Sequence, residues 1–252
     1  KGILINRANI YLQTVDFRYT HCKICVITIK VERQQIMATK QSVLTNTLNL
    51  DAVKVLRNTY TLLSLTLLFS AAMCGVAMAV NAPFMGLWML LPYIGCLWMV
   101  EKNKNRTAGL FWVFALTGWM GFTLGPIISY YLASSGSQII LMALGGTALI
   151  FFACSSYVLV TKKELSFMGG FLMTGLIIAF IAAIANIFLQ IQGLALALSC
   201  IFLLISSGII MWQTSAIIHG GERNYISATV TLYVMLYNIF TSLLHLLSAA
   251  RD

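Results

Sequence analysis

Long apolar runs alternate with short polar segments from about residue 60 to the end of the chain. Each run holds about 20 residues, which is the length that an α-helix needs to cross a hydrocarbon core about 30 Å thick. The pattern therefore predicts an all-α membrane protein with seven transmembrane helices, at about residues 60–80, 84–100, 107–132, 139–160, 167–189, 194–218 and 225–247.

Proline and glycine mark two of the predicted helices. The second carries Pro92, and because a proline in the middle of a membrane helix usually bends it, a local kink is expected there. The third carries Gly121 and Gly125. Small residues four apart let two helices approach closely, so these glycines are expected to mark a packing seam.

Basic residues fall in alternate connections between the predicted helices, and the other set of turns carries none. Lys and Arg accumulate on the cytoplasmic side of membrane proteins. Only Arg251 lies on the opposite side. The bias predicts a cytoplasmic N-terminus and a periplasmic C-terminus, with these basic residues on the cytoplasmic side: Lys40, Lys54, Arg57, Lys102, Lys104, Arg106, Lys162, Lys163 and Arg223.

The composition agrees with a membrane protein. Hydrophobic residues make up 60% and charged residues 9% of the chain, whereas soluble domains carry about 25% charged residues. The net charge of +9 comes from basic residues in the tail and loops. Membrane topology accounts for basic residues in these places, so nucleic-acid binding is not predicted. Cys22 and Cys25 form a lone C-x-x-C beside His21 without a second pair, so neither a zinc site nor any other cofactor site is predicted.

The N-terminal region differs from the rest. Residues 1–36 mix polar and apolar positions without a span-length run, and Met37 resembles a natural start. We expect 1–36 to be a non-native leader, vector-derived or from an over-extended reading frame. Residues 37–58 are polar and are predicted to form a cytoplasmic tail that becomes helical near Asp51, and residues 59–252 form the seven-helix transmembrane domain.

The predicted spans lack the residue combinations that are typical of catalytic sites. They contain no Asp, Glu, Lys or Arg away from their ends, no H-E-x-x-H motif and no mid-span histidine that would activate a serine. A charge at the middle of the bilayer costs about 2.5–3.5 kcal/mol and is normally kept for a function. The sequence therefore argues against an enzyme.

Uncharged polar residues form stripes on the last two predicted helices. Ser199, Ser206 and Gln213 recur every seven residues, and a second stripe holds Thr231, Asn238, Ser242 and His245. Two interpretations stay open. The stripes form interhelical hydrogen bonds, or they line a narrow polar path with Ser206, Gln213, Thr231, Asn238 and Ser242 as its residues.

His219 and Glu222 lie in the polar connection between these two helices. Histidine titrates near neutrality, so the pair is a candidate pH-sensitive mouth of the path. The alternative is that both are simply solvated loop residues.

Several stretches together resemble the Bax inhibitor family of membrane proteins, and within it the bacterial YccA-type branch. The stretches are KVLRNTY at 54–60, LLSLT at 62–66, GPI at 125–127, MALGGTAL at 142–149, ANIFLQ at 185–190, ISSG at 205–208, IHGGE at 218–222, LY at 232–233 and YNIF at 237–240.

The resemblance implies six helices around a central seventh, in an inner-membrane protein that binds the FtsH membrane protease and restrains its degradation of membrane substrates. In that branch the protease engages the cytoplasmic N-terminal tail. Other members are pH-sensitive calcium leak channels with two aspartates as a proton-operated latch. Those latch positions align with Gln213 and Met235, neither of which ionises.

Two functional hypotheses follow from these residues. The first is a modulator of an FtsH-type protease that acts by binding, with the lipid bilayer as its surroundings. The second is an ion leak, for calcium or protons, along the polar path between the last two helices. The neutral residues at the latch positions favour the first hypothesis.

Overall fold

All regular structure among the described residues is helical. A computed structural model describes residues 50–84 and 86–251. The predicted leader, the tail up to residue 49, and the C-x-x-C pair lie outside the described residues. Seven α-helices follow one another: α1 Leu50–Ala79, α2 Leu90–Asn103, α3 Thr107–Ser135, α4 Ser137–Thr161, α5 Met168–Leu189, α6 Gln192–Ile218 and α7 Tyr225–Ala249.

Six of the seven helices are long and apolar enough to cross a membrane, and α2 is the exception. A 3₁₀ turn, Gly86–Met89, precedes α2 and takes up the start of the second predicted span. Gly86 has a φ of +54°, a conformation that glycine adopts without strain. The 3₁₀ turn and α2 together rise about 29 Å, close to the thickness of the hydrocarbon core.

Pro92 does not lie in the middle of a helix as expected, because α2 begins later than predicted. The helix starts at Leu90, which places Pro92 in its first turn rather than in its middle. The backbone N–H groups of a first turn have no partner within the helix, so the missing N–H of proline costs no hydrogen bond there. At its other end α2 continues to Asn103, through the Glu101 and Lys102 that the polarity of the sequence assigns to a loop.

The first helix also begins earlier than the span predicted from about residue 60. Residues 50–58 form its first turns, in line with the helical start expected near Asp51. Leu50 and Val53 each expose about three-fifths of their surface there, beside the exposed pair Asp51 and Lys54. This part of α1 therefore presents apolar and charged side chains together.

Three charged connections meet at one end of the bundle. Asn224, before α7, donates to the backbone oxygen of Lys104, between α2 and α3, at 2.9 Å. Ser215, near the end of α6, donates to the backbone oxygen of Lys163, between α4 and α5, at 2.9 Å. We call this end, with Lys104, Arg106, Lys162, Lys163 and Arg223, the basic end.

The start of α1 lies near the same end, since Thr229 in the second turn of α7 donates to the backbone oxygen of Thr59 at 3.3 Å. The turns at 80–84, 136 and 190–191 connect the helices at the opposite end, and they carry no charge. The segregation of charge that the sequence predicts is thus present in the fold.

Helix α7 is the most buried of the six long helices, with half of its most apolar window inside the protein. It packs against α2, α3, α4 and α6, and α1 reaches it through Thr59 and Ser70. The main hydrophobic cluster is built around Leu232, Leu236 and Ile239 of α7. Helix α5 packs on α6 and is the least buried long helix.

The predicted glycine seam lies between α3 and α1. A Cβ on Gly121 would come within 2.8 Å of the Ser70 Cα, and a Cβ on Gly125 would come within 2.5 Å of the Ala77 Cβ. Glycine lets two helical backbones approach where any other residue would hold them apart. The packing interpretation of this motif is confirmed.

Candidate functional site

The connection between α6 and α7 is held in place by Asn224. Its side-chain oxygen accepts from the backbone N–H of Ile226 at 2.9 Å and of Ser227 at 3.4 Å, so it caps the start of α7. Its amide nitrogen donates to the backbone oxygen of Lys104 and to Oδ1 of Asn105, both at 2.9 Å. One side chain therefore begins α7 and ties two loops of the basic end together.

The predicted mouth residues, His219 and Glu222, lie on the same connection. His219 is exposed, and its Nδ1 lies 2.9 Å from the backbone oxygen of Ser215. Glu222 is half-buried, and its carboxylate accepts from the backbone N–H of Asn224 at 2.8 Å. His219 thus contacts the last turns of α6, and Glu222 contacts a backbone group of the connection itself.

A carboxylate of α2 also acts on the basic end. Glu101 accepts a hydrogen bond from the Lys104 ammonium. This hydrogen bond and the charge of Glu101 raise the pKa of Lys104, and the charge of Glu222 adds to the effect. Lys104 therefore keeps its positive charge at neutral pH.

The two positions that the resemblance aligns with the family's latch are deeply buried. Gln213 exposes 3% and Met235 exposes 4% of its surface. Met235 packs in the main hydrophobic cluster with Ile209 and Leu236. The Nε2 atom of Gln213 has no hydrogen-bond partner among the residues that the structure describes. A neutral amide and a thioether therefore occupy these positions, without any group that titrates.

The remaining path residues are divided between packing and a cavity. Ser206 is fully buried, and its hydroxyl has no partner within residues 50–84 and 86–251. Thr231 donates to the backbone oxygen of Ser227, one turn back on α7, at 3.1 Å. Asn238 and Ser242 instead line a cavity. The five predicted residues are thus not brought together around one space.

The cavity has a volume of about 640 Å³ and lies between α5, α6 and α7 on one side and the 3₁₀ turn, α2 and α3 on the other. Its lining is mainly apolar and aromatic, including Trp119, Leu176 and Phe180. None of its lining residues is charged. The polar groups among them are the indole N–H of Trp119, which donates to the backbone oxygen of Met89 at 3.1 Å, and the side chains of Tyr93, Thr123, Ser199, Tyr237, Asn238, Thr241 and Ser242.

Sequence reasoning missed the hydrogen bonds that join α7 to α1 and α3. The Tyr233 hydroxyl lies 2.6 Å from the Ser70 hydroxyl and donates to the backbone oxygen of Thr117 at 3.2 Å. One turn further on, the hydroxyls of Tyr237 and Thr123 are 3.4 Å apart. The spacing of the two tyrosines was a visible signal, but the isolated Ser and Thr partners gave none.

The polar stripes of α6 and α7 do meet at one point. The Ser199 hydroxyl lies 2.9 Å from Nδ1 of His245. Both residues belong to the stripes found in the sequence, so at this contact the stripes form an interhelical hydrogen bond. In the described part of the chain, no three His, Cys, Asp or Glu side chains lie close enough together to hold a metal ion.

Comparison with known proteins identifies the family of this chain. Residues 52–252 match the model of the family described as "Inhibitor of apoptosis-promoting Bax1". The chain belongs to the Bax inhibitor family. The match begins in the first turn of α1 and includes every helix described above, which confirms the resemblance found in the sequence.

Relatives in this family come from several bacteria. The chain is 53% identical over 205 residues to "Modulator of FtsH protease YccA" of Escherichia coli strain K12. The aligned residues cover 81% of this chain and 94% of the relative. It has the same identity and coverage with "Inner membrane protein YccA" of Escherichia coli O6:H1. An uncharacterised membrane protein of Vibrio cholerae is 44% identical over 219 residues, covering 86% of this chain and 97% of the relative.

Proposed function

We propose that this member of the Bax inhibitor family is an inner-membrane protein that binds an FtsH-type membrane protease and restrains its degradation of membrane substrates. The observation that carries the proposal is the 53% identity across 94% of a relative named as a modulator of that protease. A relative of equal identity is named as an inner membrane protein. The surrounding bilayer is then the protein's second partner.

The proposal includes an orientation in the membrane. The basic end faces the cytoplasm, since Lys and Arg accumulate on that side. The 3₁₀ turn and α2 return the chain from the opposite end to the basic end, and we count them as the second of seven crossings. The N-terminus is then cytoplasmic and the C-terminus periplasmic. We further propose that α1–α6 surround α7, and the high burial of α7 supports this arrangement.

The proposed domain organisation places the protease contact in the N-terminal tail. Residues 37–58 form the cytoplasmic tail, and 59–252 form the membrane domain. The last turns of the tail, at the start of α1, support such a contact, because Leu50 and Val53 are exposed there beside Asp51 and Lys54. An exposed amphipathic segment of this kind is suited to docking on a partner.

The mode of action is binding rather than catalysis. The spans hold no Asp, Glu, Lys or Arg away from their ends, and the most polar buried residue of α6, Gln213, is a neutral amide. Contact with accessory membrane proteins of the protease falls within the same proposal.

These findings favour the protease modulator over the alternative function, an ion leak for calcium or protons. A proton-operated latch needs titratable groups, and Gln213 and Met235 have none. The predicted path residues also do not line one space, since Asn238 and Ser242 line the cavity whereas Ser206 and Gln213 are buried in packing.

Deletion of residues 37–50 tests the proposal. The half-life of a membrane substrate of FtsH is measured in cells that express either the full chain or the deleted chain. We expect the full chain to lengthen the half-life and the deleted chain to leave it unchanged. Crosslinking in native membranes, followed by purification of this protein, should recover the protease with the full chain and lose it with the deleted one.

Two controls make the result specific. Replacement of residues 37–50 by a Gly/Ser linker of equal length keeps the spacing and should act like the deletion, whereas removal of Arg251 and Asp252 should leave the effect intact. Equal amounts of each variant in the membrane fraction show that insertion is unaffected. If the deleted chain still protects the substrate, the tail is not the contact and the proposal fails.

A further inference from the structure

The cavity beside α7 lies at a definite depth in the bundle. Ser242 is seven residues before the end of α7, and Ser199 is seven residues after the start of α6. At 1.5 Å per residue both lie about 10 Å from the opposite end of the bundle. Since α7 is about 37 Å long and the hydrocarbon core is about 30 Å thick, this depth is about 6 Å inside the hydrocarbon boundary.

The cavity reaches the outer surface of the bundle. Ile177 and Phe180 of α5 line it and expose 56% and 41% of their surface. Helix α5 packs on α6, and the cavity separates it from α2 and α3. At this depth the outer surface faces lipid chains rather than water, so a ligand enters sideways from the bilayer.

Three polar side chains in the cavity wall lack protein partners. The Tyr93 hydroxyl, the Asn238 amide and the Ser242 hydroxyl make no hydrogen bond to any residue in the described ranges 50–84 and 86–251. Ser242 exposes only 7% of its surface. Unpaired polar groups away from water cost free energy, so a ligand that hydrogen-bonds to them is stabilised.

The chemistry of the wall defines the ligand. No lining residue is charged, so the part that enters is neutral. The apolar lining suits a hydrocarbon or isoprenyl chain, and the amide and hydroxyl groups suit a carbonyl oxygen. One turn of helix, about 10–12 Å wide and 5.4 Å long, already occupies roughly 400–600 Å³, so a partner's transmembrane helix does not fit in about 640 Å³.

We propose that this cavity binds the uncharged, carbonyl-bearing part of an amphiphile taken from the bilayer, with the carbonyl at Asn238 and Ser242 and the chain directed past Phe180. The volume is within the range of about 300–1,000 Å³ that is usual for small-molecule sites. The carbonyl belongs either to the ester group of a glycerolipid or to the ring of an isoprenoid quinone. This site does not depend on the protease interaction and is tested separately from it.

Fluorescence of Trp119 in the cavity wall reports on the ligand. A variant keeps Trp119 and carries Phe at the other four tryptophans, and a control variant keeps only Trp112, which is also half-buried but lies outside the cavity. Each is reconstituted in two kinds of phosphatidylethanolamine and phosphatidylglycerol vesicles. One kind has dibrominated acyl chains, and the other has unbrominated chains with added ubiquinone.

We expect stronger quenching of Trp119 than of Trp112 in at least one of the two kinds of vesicle. Quenching by brominated chains identifies a glycerolipid as the source of the carbonyl, and quenching by ubiquinone identifies a quinone. Ala183→Phe fills the cavity and should reduce the quenching of Trp119 to the level of Trp112, whereas Ala185→Phe, on an exposed position of the same helix, should not change it. Asn238→Ala should weaken quinone or lipid binding about five- to tenfold.

Mass spectrometry of the purified wild-type protein gives a readout without substitutions, and a co-purified glycerolipid or quinone is expected. The proposal is overturned if Trp119 is quenched no more than Trp112 in both kinds of vesicle. It is also overturned if Ala183→Phe and Ala185→Phe behave alike while both variants remain folded.

Discussion

Gly121 provides a sharp test of how this bundle is held together. It is packed against α1 so closely that a Cβ would lie 2.7 Å from the Ser70 hydroxyl oxygen and 2.8 Å from the Ser70 Cα. Ordinary contacts begin near 3.4 Å. Because the Ser70 Cα and the Ser70 backbone oxygen are both in the way, no rotation of a side chain relieves the clash, and Gly121→Ala must move α1 and α3 apart.

The cost has two parts. A separation of about 0.5–1 Å forfeits a quarter to a half of the dispersion energy at the seam, and overpacking of this kind typically costs about 1–3 kcal/mol. The movement also strains the hydrogen bond between Ser70 and Tyr233, which is 2.6 Å long and is worth about 0.6 kcal/mol in a membrane protein. We therefore expect Gly121→Ala to lower the free energy of unfolding by about 2–4 kcal/mol.

Gly145→Ala is the matched control, since Gly145 lies in the interior of α4 and a Cβ there meets nothing within 4 Å. It should be neutral or should stabilise by up to about 1 kcal/mol, because alanine favours a helix over glycine. Unfolding in increasing SDS, followed by far-UV circular dichroism, measures both variants. Equal stability of the two variants would refute the argument that backbone contact at this seam holds α1 on α3.

Two further predictions concern named hydrogen bonds. Tyr233→Phe should cost about 0.6–1.7 kcal/mol in the same unfolding assay, because it removes the contacts to Ser70 and Thr117, and Tyr157→Phe on an exposed position should cost nothing measurable. Asn224→Ala should cost about 1–2 kcal/mol and speed hydrogen exchange at the start of α7, since it removes the cap and the link to Lys104; unchanged exchange there would contradict the capping role.

The membrane spans and their polar connections could be predicted because a bilayer imposes one rule on every span. Each span needs about 20 apolar residues, and charges must lie at its ends. That rule finds α3–α7 to within a few residues. It fails at α2, because Gly86 and the 3₁₀ turn depend on local backbone conformation and leave no trace in hydropathy.

The contacts within the site were less predictable. Ser70 and Tyr233 are 163 residues apart, and no single-sequence signal separates Ser70 from the other serines of the spans. The cavity was equally hidden, because it arises from the way α5 stands away from α2 and α3. Periodicity did identify Asn238 and Ser242 as one stripe, but it placed Gln213 and Ser206 in the same path, whereas the fold buries them in packing.

The neutral residues at the latch positions have an energetic consequence. A carboxylate near the middle of a span, as at Met235 in α7, costs about 2.5–3.5 kcal/mol when charged, so its protonation state would bias the packing of α7. An amide and a thioether carry no such bias, so these two positions add no pH dependence to the contact. Hydrogen bonds from Asn224 and Ser215 tie the connections of the basic end together. A preorganised surface loses less entropy on binding, which suits a protein that acts on a partner by contact.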